Sequence, residues 1–341
     1  MRKLLYELTY DDAGRWLSHQ GQKPFRTQQL FEWVYQKTAR DFSEMTNLPA
    51  DLREVLAGSF QVGPLPVLDS VRGPDAQKLL LQMPRGGEVE CVAITMGTTR
   101  TACLSTQVGC AMGCVFCATG QTRCERSLEA GEIVAQLVTL RAATDPRRPL
   151  SNVVFMGMGE PFCNYDNVVA AVRLITDKRA LGISPSKVTV STAGIVPMIR
   201  KYAEEGLPTE LAVSLNAPND EIRRQLMPGA AKWPLAEIAA ACKEYSAATG
   251  GQPVTFAYVL IAGVNDLLDH AYELARLLRH QPHLVNVIPL NPVSHCDMTA
   301  PDKQRTSAFL HHCKQYGLNA SVRRSKGKEI DGACGQLRGR H

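Results

Sequence analysis

Apolar residues recur along this chain with two different periods, and the change of period divides it. In the first sixty residues the spacing is helical. Leu30, Trp33 and Val34 share a face of TQQLFEWVYQKTARDF, which Lys23-Pro24-Phe25-Arg26 leads into, and Leu52, Val55 and Leu56 share a face of PADLREVLAGSF. Gly63-Pro64 and Pro66 close this unit. The next runs are extended. KLLLQMP and EVECVAITM flank Arg85-Gly86-Gly87 as a hairpin, and TACLSTQ follows as a further strand. Beyond it the patterns alternate. Helices are predicted over 127–144, with Ser127 as cap, and over 164–178, 196–206, 235–250, 269–280 and 302–317. Strands are predicted over 151–157, 186–192, 209–216, 253–263, 284–292 and 319–325.

Counted from TACLSTQ, this makes six strand–helix units, which implies a parallel sheet with helical crossovers. Six units are too few for a closed eight-stranded barrel. The fold expected is therefore α/β, an open, partial (β/α)6 barrel, with a doubly wound sheet as the alternative. The predicted divisions are a helical accessory unit over 1–62, a β-hairpin linker over 63–96, the barrel over 97–330 and a C-terminal segment over 331–341.

Polar residues gather where these strands end. Cys110-Ala-Met-Gly-Cys114-Val-Phe-Cys117 follows the first barrel strand and Gly157-Met-Gly159-Glu160-Pro follows the second. Ser191 and Thr192 end the third, Ser214 and Asn216 the fourth, and Asn291 the sixth. In parallel α/β folds the carboxyl ends of the strands form the site. A serine or asparagine after a strand is by itself ordinary turn chemistry, but here several segments converge on one rim. C-x3-C-x2-C supplies three thiolates from one loop. A four-iron, four-sulfur cluster usually takes four, so three leave one iron open to a small molecule. Structural zinc would need a fourth ligand, commonly from a second C-x2-C pair, and none stands nearby. Glu160 suits an amine, through charge-assisted hydrogen bonds. Gly157 and Gly159 let backbone approach a ligand closely.

Composition changes this picture little. Net charge is +5, with eleven cysteines and 45% hydrophobic residues in 341. No apolar run reaches the roughly 18 residues of a membrane span, and the N-terminus lacks the form of a secretory signal. The odd cysteine count and the size argue for a reducing cytoplasm. The distribution of charge says more than its sum. Arg323, Arg324, Lys326, Lys328, Arg338 and Arg340 crowd the last twenty residues, either as a solvated tail or as an RNA grip. Lys23, Arg26, Lys37 and Arg40 flank aromatics in the helical unit, either as an exposed face or as an RNA-docking one.

The cysteine loop, at the end of the first barrel strand, resembles the mark of the radical S-adenosylmethionine (SAM) superfamily. The resemblance narrows at Cys103-Leu-Ser-Thr-Gln-Val-Gly-Cys110, at Met45-Thr-Asn-Leu-Pro49, at STAGIVP (191–197), SLNAPND (214–220) and IPLNP (288–292), and at Gly327-Lys-Glu-Ile-Asp-Gly-Ala-Cys334-Gly-Gln-Leu. Over residues 1–339 the chain is similar to the RlmN/Cfr family of RNA adenosine methyltransferases. The resemblance implies that Cys110, Cys114 and Cys117 hold a 4Fe-4S cluster, whose open iron takes the methionine part of SAM. It implies that Glu160 binds the methionine amino group, and that Gly159, Ser191, Ser214, Leu215, Asn216 and Asn291 belong to the same SAM site.

The same resemblance implies that two SAM molecules serve each turnover. One methylates Cys334. The other yields a radical that activates that methyl group for attack on adenine, joining protein and RNA. Glu90 accepts the ring proton, and Cys103 releases the RNA by forming a disulfide with Cys334. A reductant must then reset the pair. The implied substrates are 23S rRNA, in the peptidyl-transferase centre, and tRNA, at the adenosine 3′ of the anticodon, methylated at carbon 2 after base flipping. An electron-donating reductase or flavodoxin-type protein is the implied partner, no membrane is involved, and the chain is expected to be a monomer. Carbon 8 as the target, a protein substrate, and a non-enzymatic RNA-binding protein with a structural metal are the rivals. The chain departs from the family pattern at Asn216, where histidine is common, at Gly229-Ala-Ala-Lys232, and at Ala257 in Thr-Phe-Ala-Tyr.

Overall fold

A computed structural model describes residues 2–339; Arg340, one of the C-terminal cations, lies outside them. The N-terminal unit holds β1 (Lys3–Leu4), α1 (Tyr10–His19), α2 (Phe25–Phe31), α3 (Ala50–Ser59) and β2 (Phe60–Gln61), with β1 and β2 paired in parallel. Apolar spacing does not single out helix α1. Its signal is a capping box: the Asp12 N–H donates to Thr9 Oγ1 at 3.1 Å and the Thr9 N–H donates to the Asp12 carboxylate at 3.3 Å. The helix expected through Phe42 is shorter. It passes into a π turn over Glu32–Gln36, and Thr38 has φ 49°.

Next come β3 (Val67–Arg72), β4 (Ala76–Gln82), β5 (Glu88–Met96) and β6 (Thr99–Cys103), antiparallel in sequence order. The short pair β7 (Gln107–Val108) and β8 (Arg126–Ser127) brackets the cysteine loop. The repeat beyond it is α4 (Ala130–Ala143), β9 (Asn152–Phe155), α5 (Tyr165–Thr176), β10 (Val188–Thr192), α6 (Val196–Glu204), β11 (Glu210–Ser214), α7 (Asp220–Leu226), α8 (Leu235–Ala248), β12 (Val254–Leu260), α9 (Leu268–Leu278), β13 (His283–Pro289), α10 (Lys303–Gln315) and β14 (Ala320–Val322). Ser127 lies in β8 and does not cap α4. Glu129 occupies the cap, where its N–H donates to the Glu132 carboxylate at 2.9 Å. A capping carboxylate at a helix start is favoured by the helix dipole as a hydroxyl is by its geometry.

Strands β6 and β9 to β14 run parallel in spatial order, with β5, β4 and β3 continuing the same ten-stranded sheet beyond β6. The hairpin therefore extends the barrel sheet. Strands β3 and β14 are its two ends, so the barrel is open, as six units require. Alternation along the strands explains why it curves around a cavity. In β12, Val254, Phe256, Tyr258 and Leu260 are buried among core side chains, whereas Thr255, Ala257 and Val259 line the lumen. Each fully buried apolar side chain contributes about 1.5–3 kcal/mol, which fixes the register. The small and polar set is thereby left facing inward. The N-terminal unit docks on α4, where a Cβ on Gly131 would lie 2.6 Å from Glu7 Cγ and 3.1 Å from Glu7 N. Only glycine lets Leu4–Glu7 come that close.

Candidate active site

The cysteine loop is held at its root. Arg126 on β8 makes a bidentate pair with buried Glu132 on α4, with both N–O distances 2.8 Å. Within the loop, the Cys117 N–H donates to Cys114 C=O (3.1 Å), the Gly120 N–H to Cys117 C=O (3.0 Å) and the Val115 N–H to Leu226 C=O (3.0 Å). The three thiols line one wall of a cavity at the carboxyl ends of the strands. Burial pushes Cys110 up to about 12 and raises Cys114 and Cys117 as well. Left alone they stay protonated; metal binding would release their protons. No three His, Cys, Asp or Glu side chains among the described residues close on a single ion. Three thiols spread around a four-iron cube need not do so.

Opposite the thiols, Glu160 is 4% exposed. Its carboxylate accepts the Phe162 N–H at 2.9 Å and the Ala193 N–H at 2.7 Å. Burial nevertheless raises its pKa, and these hydrogen bonds and buried Arg223 only partly offset that rise. Gly159 lines the cavity, but the approach its missing side chain permits is to the chain itself. A Cβ there would meet Gln107 Cβ at 2.6 Å, and φ is +97°. The reading of the GMGEP glycines as making room for a ligand is corrected to that extent.

Ser191, Ser214, Asn216 and Asn291 all line this cavity. Asn291 donates its amide to Cys334 C=O at 3.0 Å, and its buried Oδ1 has no partner. Asn216 sits at φ 57°, a left-handed position that asparagine tolerates and that β-branched or bulky residues resist. Its Oδ1 accepts the Val259 N–H at 2.9 Å, and its amide points at Met227 sulfur. Leu215 is fully buried and contributes its carbonyl to Arg223 rather than a lining side chain. An orphaned amide oxygen, a buried carboxylate and three thiols at one cavity fit a cluster with an amino-acid ligand.

The C-terminal residues form a strap across the barrel mouth instead of a free tail. The Ala118 N–H donates to Gly335 C=O at 2.7 Å, and the Thr119 hydroxyl to Leu337 C=O. Gln336 donates to Pro292 C=O at 3.0 Å. On the hairpin side, Asp75 pairs with Lys326 at 2.8 Å and accepts the Gly327 N–H at 3.0 Å. Glu90 takes Lys78 at 2.9 Å on one oxygen and the Arg338 N–H at 2.8 Å on the other. It lies outside the cavity lining and grips the strap. Cys334 rides on this strap and lines two cavities: the large one beside the cluster loop, and a smaller one that also contains Cys103. Cys103 is 7% exposed and burial pushes it up to about 12. All eleven cysteines are free thiols.

Sequence reasoning missed Arg223, which is 1% exposed. Its guanidinium donates to Ser214 C=O (3.0 Å), Leu215 C=O (2.7 Å) and Ala193 C=O, so it ties the ends of β10 and β11 together behind Glu160. Desolvation lowers it to about 10. In sequence it is one of several charges in a stretch where no element is predicted, and no signal separates it from Arg224. Lys78 and Asp75 were missed because their partners on the strap lie some 250 positions away.

The sequence and the fold recur in proteins of known family. Residues 104–278 match the Radical SAM superfamily, and residues 4–62 match the ribosomal RNA large subunit methyltransferase N-terminal domain. A Symbiobacterium thermophilum protein named "Probable dual-specificity RNA methyltransferase RlmN" is 45% identical, covering 99% of this chain and 92% of its own length. A Geobacillus kaustophilus protein of the same name is 42% identical, covering 98% and 92%. The crystal structure of a radical SAM methyltransferase from Sphaerobacter thermophilus superposes with a TM-score of 0.95 at 42% identity, covering 98% of this chain and 99% of that one.

Proposed function

The chain belongs to the RlmN family of radical SAM RNA methyltransferases, and from that premise we propose that it methylates carbon 2 of adenosine in 23S rRNA and tRNA, through a methyl group carried on Cys334. The observation that carries this reading is the position of Cys334. It is shared between the cavity of the cluster thiols and the cavity of Cys103, so one sulfur can be served from either side.

Cys110, Cys114 and Cys117 would hold the cluster, and Glu160 with the free Oδ1 of Asn291 would take the polar end of SAM. Ser191, Ser214 and Asn216 line the remainder of that site. Once bound, the pair supplies a carbon-centred radical. The protein's own part is orientation and exchange of atoms at sulfur. Cys334 presents its methyl group to the base, with one SAM consumed to load it and a second to activate it. Glu90 takes the ring proton once the strap amides leave its carboxylate, and Cys103 then attacks Cys334 sulfur. The hairpin side of the strap and the N-terminal unit, where Lys37 lies 3.8 Å over the Trp33 ring, grip RNA backbone and shape. The enzyme works as a monomer in the cytoplasm, reduced by a flavodoxin-type protein or reductase.

The test is nucleoside mass spectrometry of rRNA and tRNA from a strain lacking the gene. Loss of 2-methyladenosine, restored by the wild-type gene and not by Cys334→Ala, is expected. Loss of 8-methyladenosine instead would move the reaction to carbon 8, and an unchanged nucleoside profile would end the proposal.

A further inference from the structure

Arg323 is the first residue after β14, at the root of the strap, where its N–H donates to Val287 C=O at 2.9 Å. Its side chain is half-buried and lines both cavities. Among the described residues it makes no salt bridge, and its recorded side-chain contact is Nη1 to Met156 sulfur at 3.9 Å. A half-buried guanidinium that lines both cavities with no carboxylate partner is placed to receive an anion formed there. Neighbouring cations differ from it. Arg324 lacks its reach into the larger cavity, and Lys326 is exposed and paired with Asp75, so both suit an outer rim.

The anion available at Arg323 is the chain's own. Cys103 lines the same small cavity. Burial chiefly raises its pKa and Cys334 adds to the rise, while Arg323 and the Met156 N–H facing its sulfur oppose it. Strand β9 brings only Val154 to this side, besides the adjoining Met156; β5 brings apolar Ile94 and Met96, its buried thiol Cys91 lying outside the lining; and the strap brings Cys334, Arg324 and Lys326. Arg323 is the cation among them that reaches both cavities.

We propose that Arg323 is a positioning residue for the release step, its guanidinium favouring the thiolate that Cys103 must become when it attacks Cys334 across the cavity they share. The inference rests on the roles proposed for Cys103 and Cys334 in methyl transfer. In that step the Cys103 thiolate attacks Cys334 sulfur and an S–S bond forms. The Cys334 S–C bond breaks, and its electron pair passes to the carbon left on the base, which takes up a proton. The two cysteines end oxidised, and the transferred carbon ends as a methyl group.

The test uses the full chain without cluster or RNA. Under an oxidising glutathione couple, the Cys103–Cys334 disulfide peptide is followed by mass spectrometry. Separately, in a Cys334→Ala background, Cys103 alkylation is followed from about pH 7 to 10. Arg323→Met should slow both by roughly tenfold at each pH, the equivalent of about one pKa unit, and Arg323→Lys should recover most of the loss. Arg323→Gln serves if the methionine variant does not fold. If wild type forms the disulfide and no Arg323 variant alters either rate, the inference is wrong while the proposed function stands. If wild type never forms this disulfide, the assignment of Cys103 itself fails. Loss of RNA affinity with an unmoved Cys103 profile would make Arg323 a phosphate contact and overturn the inference.

Discussion

Glu160 shows how one side chain is tuned by what surrounds it. Its two backbone donors favour the carboxylate, yet burial wins and raises the pKa from its ordinary value. The folded chain therefore holds that proton more tightly than the unfolded chain. The resulting contribution favours folding at low pH and is lost as pH rises through the raised pKa. An ammonium group entering the pocket reverses this, because it pairs with the ionised form. SAM affinity of the cluster-loaded enzyme should accordingly fall as pH drops, and at a higher pH than an unperturbed glutamate would give. Glu160→Gln should weaken SAM by roughly 10- to 100-fold, the value of one charge-assisted hydrogen bond, and should flatten that pH dependence. Equilibrium dialysis across pH measures both, and a glutamine variant with wild-type affinity would remove Glu160 from the site.

At the scale of elements, the strap is the part that behaves as a unit. Lys78 is nearly buried, pairs with Glu90 within the hairpin and donates to Asp331 C=O at 3.3 Å, so it touches the strap at one point and holds the carboxylate that accepts the strap amide of Arg338 at another. Lys78→Met would leave the Glu90 carboxylate buried and uncompensated, a local cost of about 3–5 kcal/mol. Amide hydrogen exchange of residues 331–339 should quicken well beyond that of the barrel strands, and unchanged protection there would show that the strap is held elsewhere. The strap also marks where sequence stops being legible. The six units could be read because β10 and β12 alternate cleanly and because the helices between them carry apolar faces. The cysteine loop and Cys334 could be read because spacing and motif are local. The clasp of Asp75 on Lys326, or of Glu90 on Arg338, joins residues some 250 positions apart, and nothing local in either partner signals the other. Arg223 was hidden differently: a charge on a seven-residue helix gives no hint of burial until β10 and β11 are placed beside it. The end of α2 was misjudged because the apolar spacing continues into the π turn, which propensity does not foresee.

For the whole molecule, the open barrel, the hairpin and the strap make two cavities with one sulfur in common. The N-terminal unit, seated on α4 through Gly131, fixes the side of the barrel on which further RNA contacts are to be expected. Among the described residues no helix is long and apolar enough to cross a membrane. The central claim is that Cys334 passes a methyl carbon, loaded onto its sulfur, to RNA and that Cys103 then frees the RNA. Cys103→Ala removes the second act alone. Produced in cells, digested with nuclease and protease, and analysed by mass spectrometry, this variant should carry an adenosine joined through one carbon to the peptide containing Cys334. The double variant Cys103→Ala/Cys334→Ala should carry none. An unmodified Cys334 peptide in the Cys103→Ala protein, or an adduct on any other residue, would contradict the account.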